Sequence, residues 1–166
     1  MLKNTMKTLA AASLLASGAS FGADLMVTPF AAGNQTQLRF EFVNDESAVT
    51  ALEFDIKLEG MGSAKIETGN CTAGIFTNHS GSCAYNAERK TLTVLVFSPA
   101  NEVLPTFELG SVTLGVAPQQ LGSLKVQNLV MADTNGKAVE GGTLMLDKSL
   151  LRDALSDEKL DQFSAK

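Results

Sequence analysis

The sequence predicts an all-β fold, a jelly-roll or Greek-key β-sandwich of about eight or nine strands with a short C-terminal helical tail. Three observations carry that expectation. Apolar and polar residues alternate with a period of two through most of the chain. Clusters of Gly, Asn, Asp and Ser interrupt the alternating runs at short intervals. The two clearest runs, Thr36–Val43 and Leu52–Leu58, are each apolar on one face only, as antiparallel sheets packed on one side require. With 166 residues, 45% of them hydrophobic and 19% charged, the chain suits one domain. A mean hydropathy of +0.10 fits neither a disordered chain nor a multi-span membrane protein. The 14 Gly and four Pro exclude collagen-like and Pro-rich linker architectures. The balance of 13 Lys+Arg against 18 Asp+Glu argues against a nucleic-acid surface.

The first element is an export signal over residues 1–23. Lys3 and Lys7 precede the apolar run Leu9–Ala16, and the small residues Ser17–Ser20, Gly22 and Ala23 follow. That is the three-part layout of a cleaved secretory signal, and its apolar run is too short to span a bilayer. Cleavage fits after Ala19, Gly22 or Ala23, the last two being favoured. Without those 23 residues, which hold two Lys and no acid, 11 Lys+Arg face 18 Asp+Glu, a formal charge of −7 on 143 residues. The expected location is secreted or periplasmic, with no membrane span after signal cleavage.

Strands follow over 24–146. In Thr36–Val43, Leu38, Phe40 and Phe42 share one face while Arg39 and Glu41 share the other, and Leu52–Leu58 repeats the pattern. Further strands are expected at Leu25–Phe30, Ala64–Thr68, Thr91–Ser98, Phe107–Val116, Leu124–Ala132 and Thr143–Leu146. Breaks fall at Ala31–Asn34, Asn44–Ser47, Glu59–Gly62 and Asn135-Gly136. Alternation stops in residues 147–166, where Leu150, Leu151, Leu155, Leu160 and Phe163 sit among charges. That segment reads as an amphipathic tail of one or two short helices, with Ser156 as N-cap before Asp157 and Glu158. It either packs its leucines on the sandwich or docks another protein.

Cys71 and Cys83 are the only cysteines, and export makes a disulfide between them the expectation. Closing a loop of 13 residues gives about 3 kcal/mol on the chain-entropy estimate. A metal or redox pair is the weaker reading, because the spacing is not CxxC and His79 is the only histidine.

No catalytic set stands out. A Ser-His-Asp arrangement could be written from His79 with Ser80 or Ser82, but no GxSxG elbow supports it. Asp133-Thr134-Asn135-Gly136 resembles the start of a calcium loop, yet the twelfth position from Asp133 is Leu144, so a hairpin turn explains it better. Calcium held in another geometry stays open; no cofactor is expected. Trp is absent and Tyr85 is the sole Tyr, so no flat aromatic platform for sugars emerges. Asn78, His79 and Tyr85, in and beside the Cys71–Cys83 loop, are the binding candidates. Three sequons, at Asn34, Asn70 and Asn78, matter only in a glycosylating host, and the Ala-rich signal reads as bacterial.

Three stretches, Val49–Leu58, Phe107–Val116 and Gly122–Val139, resemble the early strand, the late core strand and the closing strand with Asp-x-Asn-Gly turn of the cohesin family. The resemblance spans about Asp24 to Leu146 and implies a jelly-roll module, related to some carbohydrate-binding modules, that works by protein or glycan adhesion. This chain has Glu59-Gly60 where many members place Asp-Pro, and a cysteine pair unusual for the family. No contact residue is carried over. The expected function is a non-catalytic binding or adhesion module for an extracellular or periplasmic protein or polysaccharide, with the stapled Cys71–Cys83 loop as first contact region. A carbohydrate-binding module and a pilin-like or biofilm-matrix subunit are the alternatives; a small hydrolase using His79 is a further one.

Overall fold

The computed structural model describes residues 23–44, 48–61, 66–67 and 78–166. The export signal apart from Ala23, the break at 45–47, most of the expected strand at Ala64–Thr68, and Cys71 lie outside those residues. Among the described residues ten strands follow in chain order: β1 (Ala23–Ala32), β2 (Gln35–Asn44), β3 (Val49–Glu59), β4 (Ile66–Glu67), β5 (Ser80–Asn86), β6 (Thr91–Phe97), β7 (Phe107–Leu114), β8 (Ser123–Asp133), β9 (Thr143–Leu146) and β10 (Phe163–Ala165). They form two five-stranded sheets with orders β4-β7-β2-β1-β9 and β10-β8-β3-β6-β5. Apart from the β1–β2 and β5–β6 hairpins, consecutive strands cross between sheets, as in a jelly roll. Pairing is antiparallel except for β9 on β1 and β10 on β8.

The period of two explains the layers. Leu38, Phe40 and Phe42 of β2 and Leu52, Phe54, Ile56 and Leu58 of β3 all point inward and are buried. Phe40 and Phe54 meet across the sandwich edge to face, with ring centroids 5.2 Å apart and planes at 77°. Few polar side chains enter this core. Thr36 is one, and its hydroxyl donates to the Val116 carbonyl at 2.9 Å.

Turn chemistry sets the register. Gly33-Asn34 closes β1 and β2 as a two-residue turn, with Gly33 at φ +62° in the first central position. Glu59 and Gly60 meet Gly122 at the far end of β3: the Gly122 N–H donates to the Glu59 carbonyl at 2.8 Å, and the two glycine backbones touch. The Asp133–Lys137 turn is a hairpin built on three loop residues. The Gly136 N–H donates to the Asp133 carbonyl at 3.0 Å, and Gly136 has φ +73°.

Two strands were not anticipated. Ser80–Asn86 reads Ser-Gly-Ser-Cys-Ala-Tyr-Asn, and only Cys83 and Tyr85 face the core, so an edge strand carries too little apolar signal to be seen. The second is β10. The tail does contain short helical turns, a 3-10 turn at Ser149–Leu151 and α1 at Asp157–Leu160. Ser156 caps α1 by accepting from the Lys159 N–H. It then ends in a strand with Phe163 buried, and Leu151, Leu155 and Leu160 belong to the same core. The Lys148 ammonium fastens the segment by donating to the carbonyls of Leu160 at 2.8 Å and Phe163 at 3.2 Å.

Candidate functional site

With both inner faces consumed by the core, the surfaces open to a ligand are the outer sheet faces, the edges and the loops. On the outer face of the β5–β6–β3–β8 layers, cross-strand pairing lines side chains up in rows. The first row is Ser80, Phe97, Ala51 and Ala132. The second is Ser82, Leu95, Glu53 and Val130. Below these come Ala84, Thr93, Asp55 and Gln127, then Asn86, Thr91, Lys57 and Lys125.

The two ends of this face differ in how far they satisfy themselves. In the polar half, one Asp55 carboxylate oxygen accepts from the Thr93 hydroxyl at 2.6 Å and the other from the Asn128 amide at 2.9 Å. Lys57 pairs with Glu59 at 3.2 Å. In the other half, Val130 is 58% exposed and Phe97 37% exposed, beside Leu95, Ala51 and Ala132. A shallow groove of about 180 Å³ runs through it, bordered by Ala51, Leu95, Val130, Met131 and Ala132 together with Glu53. An apolar patch rimmed by polar groups is a surface that gains by being covered.

The outer face of the other sheet is more nearly closed on itself. Arg39 and Glu41 pair at 3.6 Å, and the Gln37 amide donates to the Ser111 hydroxyl at 3.2 Å.

The residues singled out in sequence are dispersed over two environments. Asn78 is exposed before β5 at φ +73°, its amide donating to the Glu102 carboxylate at 3.2 Å and its carbonyl accepting from the Ser98 hydroxyl at 3.3 Å. His79 follows it and is half-buried. Tyr85 turns to the inner side of β5, level with Leu92, and packs on the core, as does Cys83 opposite Val94. Thus Tyr85 does not share a face with Ser82 or Ala84. Cys83 is not free: among the described residues no cysteine is.

The Asp133 turn is explained by hydrogen bonding. One Asp133 carboxylate oxygen accepts the backbone N–H groups of Lys137 at 2.9 Å and Asn135 at 2.8 Å, which hold the carboxyl below its ordinary pKa. Among the described residues no group of three or more His, Cys, Asp or Glu converges to hold a metal ion. None of the described helices is long and apolar enough to cross a membrane.

Sequence reasoning passed over the Glu53, Leu95, Phe97 and Val130 set. A signal was present: Thr91-Leu92-Thr93-Val94-Leu95-Val96-Phe97 alternates at its start and then becomes apolar at both parities. A strand with one solvated face should stay polar there.

No family model matches the chain, and no curated protein matches it. Solved structures do. The chain is similar to the second type II cohesin module of an adaptor scaffoldin from Acetivibrio cellulolyticus, with TM-score 0.56 and 8% identity over 75% of this chain and 94% of that one. It is also similar to a non-cellulosomal cohesin from the archaeon Archaeoglobus fulgidus, with TM-score 0.53 and 14% identity over 80% and 95%. A chain of a type I cohesin–dockerin complex from Clostridium thermocellum aligns with TM-score 0.51 and 13% identity over 76% and 90%. The fold is therefore cohesin-like.

Proposed function

We propose that this chain is a secreted, non-catalytic module that binds an extracellular or periplasmic protein across the outer face of β5, β6, β3 and β8. The observation that carries the reading is the contrast within that face. Its Asp55 and Lys57 end is internally hydrogen-bonded and paired, whereas its Leu95, Phe97 and Val130 end leaves apolar side chains open to solvent. Covering that end removes apolar area from water at roughly 25 cal/mol per Å² before the costs of association. A cohesin-like fold supports it, since one chain of similar fold was solved in a cohesin–dockerin complex. Export over residues 1–23 and a Cys71–Cys83 bridge belong to the same reading. The bridge would tie Cys71 to Cys83, which lies on the inner side of β5 opposite Val94.

Recovery of partner proteins after mild crosslinking in the native host tests the reading. The protein recovered with the wild-type chain should fall at least tenfold with Val130→Asp in a chain that circular dichroism shows to be folded, with a modest loss of Tm because the new carboxylate stands directly opposite Glu53. Equal recovery from a folded Val130→Asp chain would count against this face.

A further inference from the structure

Glu53 stands apart within the face described above. It sits in mid-strand, directly between Leu95 on one neighbour and Val130 on the other. The row above it is Phe97, Ala51 and Ala132. Every other described residue bordering the groove is apolar, so among the described residues its carboxylate is the groove's one charged group. Among the described residues its side chain makes no hydrogen bond and no ion pair, in contrast to Asp55 and Glu59 on the same strand. The nearest lysines on these strands, Lys57 and Lys125, lie two rows away along the sheet, roughly 13 Å.

A carboxylate placed among apolar side chains has part of its hydration shell displaced when the face is covered, and an uncompensated carboxylate would then oppose docking. The same placement favours an occupant that brings the opposite charge on an apolar stem. Arginine has that shape: three methylenes to lie along Leu95 and Val130, and a planar guanidinium that meets a carboxylate with two parallel hydrogen bonds.

Resting on the reading that this face binds a protein, we infer that Glu53 is its specificity anchor and that the partner inserts an arginine side chain into the Leu95–Glu53–Val130 groove, flanked by apolar residues that cover Phe97 and Ala51. The apolar surface supplies area and the carboxylate selects sign. A partner with an acidic side chain at that point is rejected by like charge.

The probe is n-butylguanidinium, which carries the arginine head on an alkyl stem, set against n-butylurea, a neutral molecule of nearly the same shape. Both are titrated at low ionic strength into the isotopically labelled, exported chain, with backbone amides read by NMR. The expected result is a response confined to Glu53, Leu95, Val130 and their neighbours, with butylguanidinium binding about fivefold tighter than butylurea. That preference should collapse to about one in Glu53→Gln and persist in Glu59→Gln. Equal affinity for the two probes, or a preference that survives Glu53→Gln, overturns the inference. Failure of the wider reading registers separately, in partner recovery with Val130→Asp, because that assay needs no charge on the probe.

Discussion

Asn128 donates from its side-chain amide to Asp55 at 2.9 Å, and it does so from a left-handed backbone, φ +59°, where the β3–β8 register slips. Glu53 pairs with Val130 but Asp55 pairs with Gln127, so β8 spends one residue more than β3 over that interval. The bulge lets β8 keep Val126 and Met131 inward on either side while presenting Gln127 and Val130 outward. Asn suits the position because it tolerates positive φ and its amide reaches the neighbouring carboxylate.

Two substitutions separate those contributions. Asn128→Gly keeps the backbone and loses the hydrogen bond, for about 1 kcal/mol. Asn128→Ala adds the strain of a left-handed Ala and should cost about 1 kcal/mol more. Urea denaturation of the two variants measures the difference, and equal midpoints would show that the backbone conformation costs alanine nothing here.

The edge-to-face contact of Phe40 with Phe54 joins the sheets at the centre of the core. Phe54→Ala removes a fully buried ring and should cost about 3–5 kcal/mol, as read by thermal or denaturant unfolding. Phe54→Leu should cost much less, since it fills most of the cavity.

Gly60 and Gly33 both have positive φ, yet they face different surroundings. A Cβ at Gly60 would lie 2.5 Å from the Gly122 Cα, whereas one at Gly33 meets nothing within 4 Å. Gly33→Ala therefore carries backbone strain alone, about 1 kcal/mol. Gly60→Ala must also push apart two strand ends, so its Tm should fall clearly further, and equal Tm losses would contradict the close approach.

Asp147 accepts a hydrogen bond from the Ser149 N–H at 2.9 Å, and that bond, with the Ser149 hydroxyl and the charges of Arg152 and Arg39, lowers its pKa. A folded-state pKa below the unfolded one stabilises above the ordinary aspartate value of about 3.9 and is lost as pH falls through the lower, folded value. The Tm difference between wild type and Asp147→Asn should accordingly be constant near neutral pH and shrink below about pH 4. A gap that widens on acidification would reverse the sign of the shift.

What the sequence makes legible follows from where burial is one-sided. In β2 and β3, alternation in the sequence maps directly onto alternation in burial, because each strand has one face in the core and one in water. That logic fails at the margins. An edge strand such as β5 is held by main-chain pairing with β6, so its side chains need not alternate. The tail's leucines among charges and its Ser156 cap correctly indicate short helical turns, but the parallel pairing of Phe163–Ala165 with β8 depends on tertiary proximity that no local pattern encodes. The proposed binding face was overlooked for the opposite reason. Leu95 and Val130 look like core residues in a sequence, and only the register shows them on the outside.

The most direct test of the account is photocrosslinking in the native host from a benzoylphenylalanine placed at Leu95, on the proposed binding face, and at Gln37, on the opposite sheet's outer face. The account predicts a discrete protein adduct from position 95 and none from position 37. An adduct from position 37 alone, or none from position 95 while the chain still holds its partner, would contradict it.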